Sequence, residues 1–154
     1  MTARWLALAL LALSPGLASA ADMRARCARV GDDDRAIPID ASLVGAARAA
    51  FGLAADAPAD WVVASTVARC MGGAVWLCNA GANIPCGKAD ANRRNAGASA
   101  FCRQNPGAQT VPMSATGHAT IYGYVCDGTR ARVTKKFGAV DARGFVADSW
   151  KRLD

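Results

Sequence analysis

Glutamate is missing from the chain, histidine occurs once (His118), and there is no C-x-x-C pair, G-x-S-x-G elbow, H-E-x-x-H pair or phosphate-binding glycine loop. Each gap closes a class of chemistry. Zinc sites draw on closely spaced cysteines or several histidines, and the shortest cysteine spacing here is C-x7-C, so neither a metal nor a cofactor is expected. Haem attachment through C-x-x-C-H is excluded in the same way. The common hydrolase and nucleotide-binding signatures are absent as well. Acid–base work by paired carboxylates would fall to scattered aspartates such as Asp60, Asp90, Asp141 and Asp148. Long apolar runs are lacking too. The longest, Trp5 to Leu13, is about half of the roughly 20 residues a helix needs to cross a bilayer, so no segment is expected to span a membrane.

What the first residues do contain is a basic Arg4, that short apolar run, the breaker Ser14-Pro15-Gly16 and the small-residue sequence Ala18-Ser19-Ala20. This is the pattern of a secretory leader, with cleavage expected after Ala20. Ala21 and Asp22 follow, so no cysteine stands where a lipid anchor would attach. Residues 21–154 are then a stretch of 134 residues, the usual size of one domain, expected in the periplasm or the medium. Losing Arg4 with the leader takes the net charge from +6 to +5. Such a surface accepts anionic partners without specifying one.

All six cysteines, Cys27, Cys70, Cys78, Cys86, Cys102 and Cys126, lie beyond the leader. An even count in an exported chain predicts disulfides. Val62 to Cys70, Gly72-Gly73 and Ala74 to Cys78 form a predicted β-hairpin, since paired glycines take the positive φ of a two-residue turn. In that register Cys70 faces Val75 and Val67 faces Cys78. The two cysteines then project to opposite faces, and a Cys70–Cys78 bond is excluded. Cys86 and Cys102 flank the polar stretch Gly87 to Gly97 and are expected to close it. That leaves Cys27–Cys70 with Cys78–Cys126, or Cys27–Cys78 with Cys70–Cys126.

Between these points, Leu43, Ala46, Ala47, Ala50 and Phe51 follow helical spacing. They predict an amphipathic helix over 40–52, capped by Asp40 and ended by Gly52. Asp32-Asp33-Asp34 is read as a solvated turn, having too few further oxygen ligands for calcium. A long loop covers 79–88, and a short helix with Phe101 inward covers 96–104 before Asn105-Pro106-Gly107. A second hairpin runs from Thr120 to Cys126 and from Thr129 to Phe137 around Asp127-Gly128. Its register places Tyr124 opposite Ala131 and Tyr122 opposite Val133, on the side of Cys126. Gly123, Arg130, Arg132 and Thr134 share the other side, giving one apolar and one basic face. The tail 140–153 leans to strand. The fold class is α+β, with an antiparallel sheet of about four or five strands and one amphipathic helix.

The candidate binding residues are Arg130, Arg132 and Lys136 on the basic face, with Arg93 and Arg94 in the central loop. Arginine suits forked hydrogen bonding to carboxylate or phosphate. Aromatic residues do not interleave with these charges, so nucleic acid is not an expected partner. The rival is a small envelope enzyme using a free Cys86 thiol or His118.

Arg69-Cys70-Met71-Gly72-Gly73, Gly81 to Lys88, and Val140-Asp141-Ala142-Arg143-Gly144-Phe145 with Trp150 resemble a group of small exported proteobacterial proteins without assigned activity. The resemblance spans most of the chain beyond the leader and implies export and a shared fold. Thr116-Gly117 to Tyr122 with Tyr124-Val125-Cys126 is similar to the small periplasmic inhibitors of c-type lysozyme. Their S-G-x-x-Y pattern is not reproduced, and a basic inhibitor would repel a basic lysozyme. The expected function is a non-enzymatic binding or accessory module of the cell envelope.

Overall fold

Two antiparallel sheets organise the chain in the computed structural model, which describes residues 19–81 and 86–153. Residues 1–18, where the leader is expected, and positions 82–85 of the predicted loop lie outside the described residues. The elements in chain order are α1 (Ala20–Val30), β1 (Asp33–Pro38), a 3-10 turn (Ala41–Leu43), α2 (Val44–Phe51), α3 (Ala59–Ser65), β2 (Thr66–Met71), β3 (Ala74–Asn79), α4 (Ala96–Gln104), α5 (Met113–Thr116), β4 (Tyr122–Asp127), β5 (Arg130–Lys136), a second 3-10 turn (Ala147–Ser149) and β6 (Lys151–Arg152). The first sheet has the order β1-β2-β3-β6, and β4-β5 form the second. The fold is α+β.

The first hairpin forms as its glycines require. Gly72 and Gly73 both have positive φ, Met71 pairs with Ala74, Cys70 with Val75 and Val67 with Cys78. Pleating then sorts the side chains. Ala68, Cys70, Val75 and Leu77 are buried beneath α1 and α2, with Met23, Leu43, Val44 and Ala47. Val67, Trp76 and Cys78 share the opposite face with Phe145, Trp150 and Cys86. The predicted helix over 40–52 is a 3-10 turn leading into α2. Asp40 accepts from the amide of Ser42, and Gly52 takes the left-handed conformation at the end.

Several expectations are corrected. Residues 62–65 belong to α3 rather than to the strand, which begins at Thr66. Val62 serves the core equally well from a helix, since a single apolar position does not fix a period. The acidic triplet is no solvated turn. Asp33 and Asp34 open β1, and the Asp32 carboxylate accepts from the amide of Gly72 at 2.8 Å. In the tail only Lys151 and Arg152 are strand, paired with Leu77 and Trp76. Helix α1 was not foreseen. Ser19 and Asp22 cap its start reciprocally, and the expected cleavage point after Ala20 falls in its first turn.

The disulfides are Cys27–Cys70, Cys78–Cys86 and Cys102–Cys126, with no free cysteine among the described residues. The exclusion of Cys70–Cys78 holds, because the two lie on opposite sheet faces. Of the expected pairings Cys27–Cys70 is present, whereas the Cys86–Cys102 closure and the Cys78–Cys126, Cys27–Cys78 and Cys70–Cys126 alternatives are overturned. Residues 87–97 are not a closed loop but a crossing between the two sheets, held by bridges from Lys88 to Phe145 and from Asp90 to Thr120. Cys86 therefore stays with the first sheet, while Cys102, on the inner side of α4, meets Cys126.

The second hairpin carries its own small core. Ala98 and Cys102 of α4 are buried with Val111, Tyr124 and Cys126, and Phe101, Ala131 and Val133 pack against them. Gly97 allows α4 to approach α5, since a Cβ there would lie 1.8 Å from the carbonyl oxygen of Ala115.

Candidate functional site

The turn of the second hairpin is centred on Gly128 and Thr129, with Asp127 paired to Arg130. Gly128 has a positive φ at the first central position, as a type II′ turn needs. A turn on Asp127-Gly128 would have demanded that conformation of Asp127. The register therefore slips by two from the expected one, and Tyr124 faces Val133 rather than Ala131. An even slip leaves the side chains from Arg130 to Val133 on their predicted faces. Arg130, Arg132 and Thr134 are exposed opposite the α4-packed Ala131 and Val133.

Lys136 leaves that group. A bulge between Gly123 and Tyr124 places Lys135 opposite Gly123 and Lys136 opposite Tyr122, so Lys135 takes its place on the arginine side. The Lys135 stem lies over Gly123, and its ammonium sits 4.6 Å from the centre of the half-exposed Phe137 ring. Arg93 stacks 5.3 Å from the Tyr122 ring, the residue paired to Lys136. The predicted cations are thus divided: Arg130 and Arg132 on one face, Arg93 and Lys136 about Tyr122 on the other. Arg94 is exposed in the central loop.

The arginine-bearing face continues into a cleft of about 980 Å³. Its lining includes Gly123, Val125, Thr134, Lys135 and Phe137 of the hairpin region, Met113 and Thr116 of α5, His118, and Val146, Asp148 and Ser149 from the tail. Val125 is directly opposite Arg132, so that arginine stands at the cleft's edge. Hydroxyls, one ammonium and an apolar floor lie within one opening, which is how ligand sites combine orientation with burial. His118 is exposed and makes no side-chain hydrogen bond among the described residues. Cys86 is tied to Cys78, so the rival catalytic pair has no thiol.

A second cluster went unnoticed in the sequence. Arg69 is 1% exposed, with its guanidinium 3.8 Å from the Phe145 ring centre and 4.5 Å from that of Trp150. Its Nη2 donates to Asp141 at 2.5 Å and to Met71 Sδ at 3.3 Å. Nε and Nη1 find no acceptor among the described residues. The Asp141 carboxylate also accepts from the amides of Arg143 and Phe145. Burial pushes the Asp141 carboxyl up, but those two amides and the guanidinium together outweigh it and hold it below its ordinary value. The alternation of β2 could have revealed this: Arg69 lies opposite Trp76 on the face away from the helices.

The acidic triplet ties the sheet to its neighbours. Asp33 pairs with Arg35 and Arg26, and those hydrogen bonds hold it well below the usual carboxylate range. Asp34 is lowered by hydrogen bonds from Arg143 and then Lys88. A group whose folded pKa is depressed adds stability above its unfolded pKa, which is about 3.9 for aspartate, and loses it as pH falls through the folded value. Thermal stability is therefore expected to be level from neutral pH to about pH 5 and to fall below about pH 4. A melting temperature flat from pH 6 to pH 2 contradicts these three carboxylate assignments.

Comparison of the chain with family models, with curated proteins and with solved structures gave no match.

Proposed function

We propose that this chain is an exported, non-enzymatic binding module of the cell envelope, and that it captures a carboxylate- or phosphate-bearing partner on the arginine face of the second hairpin. The observation that carries this reading is the shared surface: Arg130 and Arg132 lie on the sheet face whose continuation, past Val125 and Thr134, forms the cleft. Guanidinium groups there present forked donors to an anion, and the cleft offers an apolar floor for whatever the anion is attached to. Three disulfides fit a compartment outside the cytoplasm, and no helix among the described residues is long and apolar enough to cross a membrane. The leader reading of residues 1–20 supplies the route. Cleavage after Ala20 would leave Cys27 and the rest of α1 in the folded protein.

Capture from an envelope extract tests the site. The partner retained by the wild-type protein, identified by mass spectrometry, is expected to bind the Arg130→Ala/Arg132→Ala variant roughly tenfold more weakly, since two charge-assisted contacts are removed. Raising the salt should weaken the wild type toward the variant. Equal capture by both proteins discards the face.

A further inference from the structure

The second sheet has one covered edge and one open edge. Val111 donates to the Tyr124 carbonyl at 2.9 Å, and Cys126 donates to the Ala108 carbonyl at 2.8 Å, so residues 108–111 lie along the outer side of β4. Those bonds also fix the direction of the backbone across the hairpin. Tyr124 and Cys126 turn their amides and carbonyls away from β5, and in an antiparallel ladder their partners must turn away as well. Those partners are Val133 and Ala131. Neither makes an outward hydrogen bond among the described residues.

We propose that β5 accepts a third, extended strand from a protein partner, and that this strand alternates acidic with apolar residues. The proposal rests on the binding-module reading and names the partner's form. Two faces of the edge set the alternation. Arg130 and Arg132 project to one side, with Lys135 beyond the bulge, and meet acidic side chains there. On the other side Ala131, Val133 and Phe101 form a partly buried apolar shelf, against which the alternate residues pack. The segment Arg130-Ala131-Arg132-Val133-Thr134-Lys135-Lys136 contains four cations and no acid. A second copy of this chain adding its own β5 would therefore oppose like charges, which destabilises the pairing. An acidic strand gains main-chain hydrogen bonds and loses that repulsion.

The test uses the intact oxidised protein and a blocked hexapeptide alternating glutamate and valine, with an alternating lysine–valine peptide as control. Calorimetry is expected to show binding of the acidic peptide alone. Amide hydrogen exchange at Ala131 and Val133 should slow at least tenfold in its presence. The same acidic peptide N-methylated on the amides of one edge should bind at least tenfold more weakly, while methylation of the opposite edge has little effect. Unprotected amides, or equal binding by both methylated peptides, overturn strand addition and leave a charge-only contact with the arginine face. Failure of the acidic peptide to bind, with extract capture still dependent on Arg130 and Arg132, also overturns it. In either case the binding-module reading survives; only indifference of capture to those arginines removes both.

Discussion

The Asp141→Ala variant is expected to lose about 3–5 kcal/mol of stability, the usual consequence of removing one partner from a buried ion pair. Arg69 has little means of adapting. Its guanidinium is held between the rings of Phe145 and Trp150 and is almost wholly out of water. Two of its nitrogens already lack acceptors among the described residues, so the charge would be left with the rings and the Met71 sulfur. The turn from Asp141 to Phe145 would loosen at the same time, because the carboxylate also holds two of its amides. A fall in melting temperature of roughly 10 °C or more corresponds to that loss. Replacing both members, as Arg69→Met with Asp141→Leu, removes the stranded charge and should recover part of the deficit. Additive losses in the double variant would show that the pair is not coupled.

This cluster also shows how far the sequence can be read. The turn and register of the first hairpin were legible because Gly72-Gly73 dictates the turn, and the turn dictates which side chains share a face; the start of its first strand was not. The helical segment over 40–52 was legible because Asp40 caps the 3-10 turn that leads into α2 and Gly52 ends the helix, and α4 because Asn105-Pro106-Gly107 stops it. The second hairpin slipped by two because Asp127-Gly128 and Gly128-Thr129 compete as turn centres, yet its faces survived because the slip was even. The bulge that exchanges Lys136 for Lys135 leaves no such local mark. Helix α1 was hidden by a different ambiguity. Ser19 and Asp22 have capping-box spacing, but Ser19 also stands in the small-residue sequence Ala18-Ser19-Ala20 read as an expected leader cleavage site. Local punctuation therefore fixed elements and faces, whereas the cleft and the Arg69 cluster depend on residues brought together from distant parts of the chain. Arg69 and Asp141 are 72 positions apart, and no periodicity connects them.

Reduction of the three disulfides should unfold the protein under conditions where the oxidised form is stable. Chain-entropy arithmetic assigns roughly 4 kcal/mol to Cys27–Cys70, roughly 3.5 to Cys102–Cys126 and roughly 2.5 to Cys78–Cys86, in the order of the loops they close. The sum is comparable with the whole stability of an ordinary domain, about 5–15 kcal/mol. The locations reinforce that ranking. Cys27 and Cys70 are both fully buried and fasten α1 to β2 across the main core. Cys102 and Cys126 fasten α4 to β4 at the centre of the smaller one. That smaller core has only one short helix laid on a two-stranded ribbon, and such a ribbon is marginal without further packing. Single pairs replaced by alanine should therefore fall in two classes. Without Cys102–Cys126, α4 and the second hairpin should exchange their amides at rates near those of the unfolded chain while the first sheet stays protected. Without Cys27–Cys70, cooperative melting of the first sheet should drop furthest. Loss of Cys78–Cys86 should be felt least, because its loop is short and the Phe145–Trp150 face is also held by Arg69. Residue-resolved hydrogen exchange on the three double-alanine variants measures this order, and a reduced protein that melts with the oxidised one would contradict the stabilising role given to all three bonds.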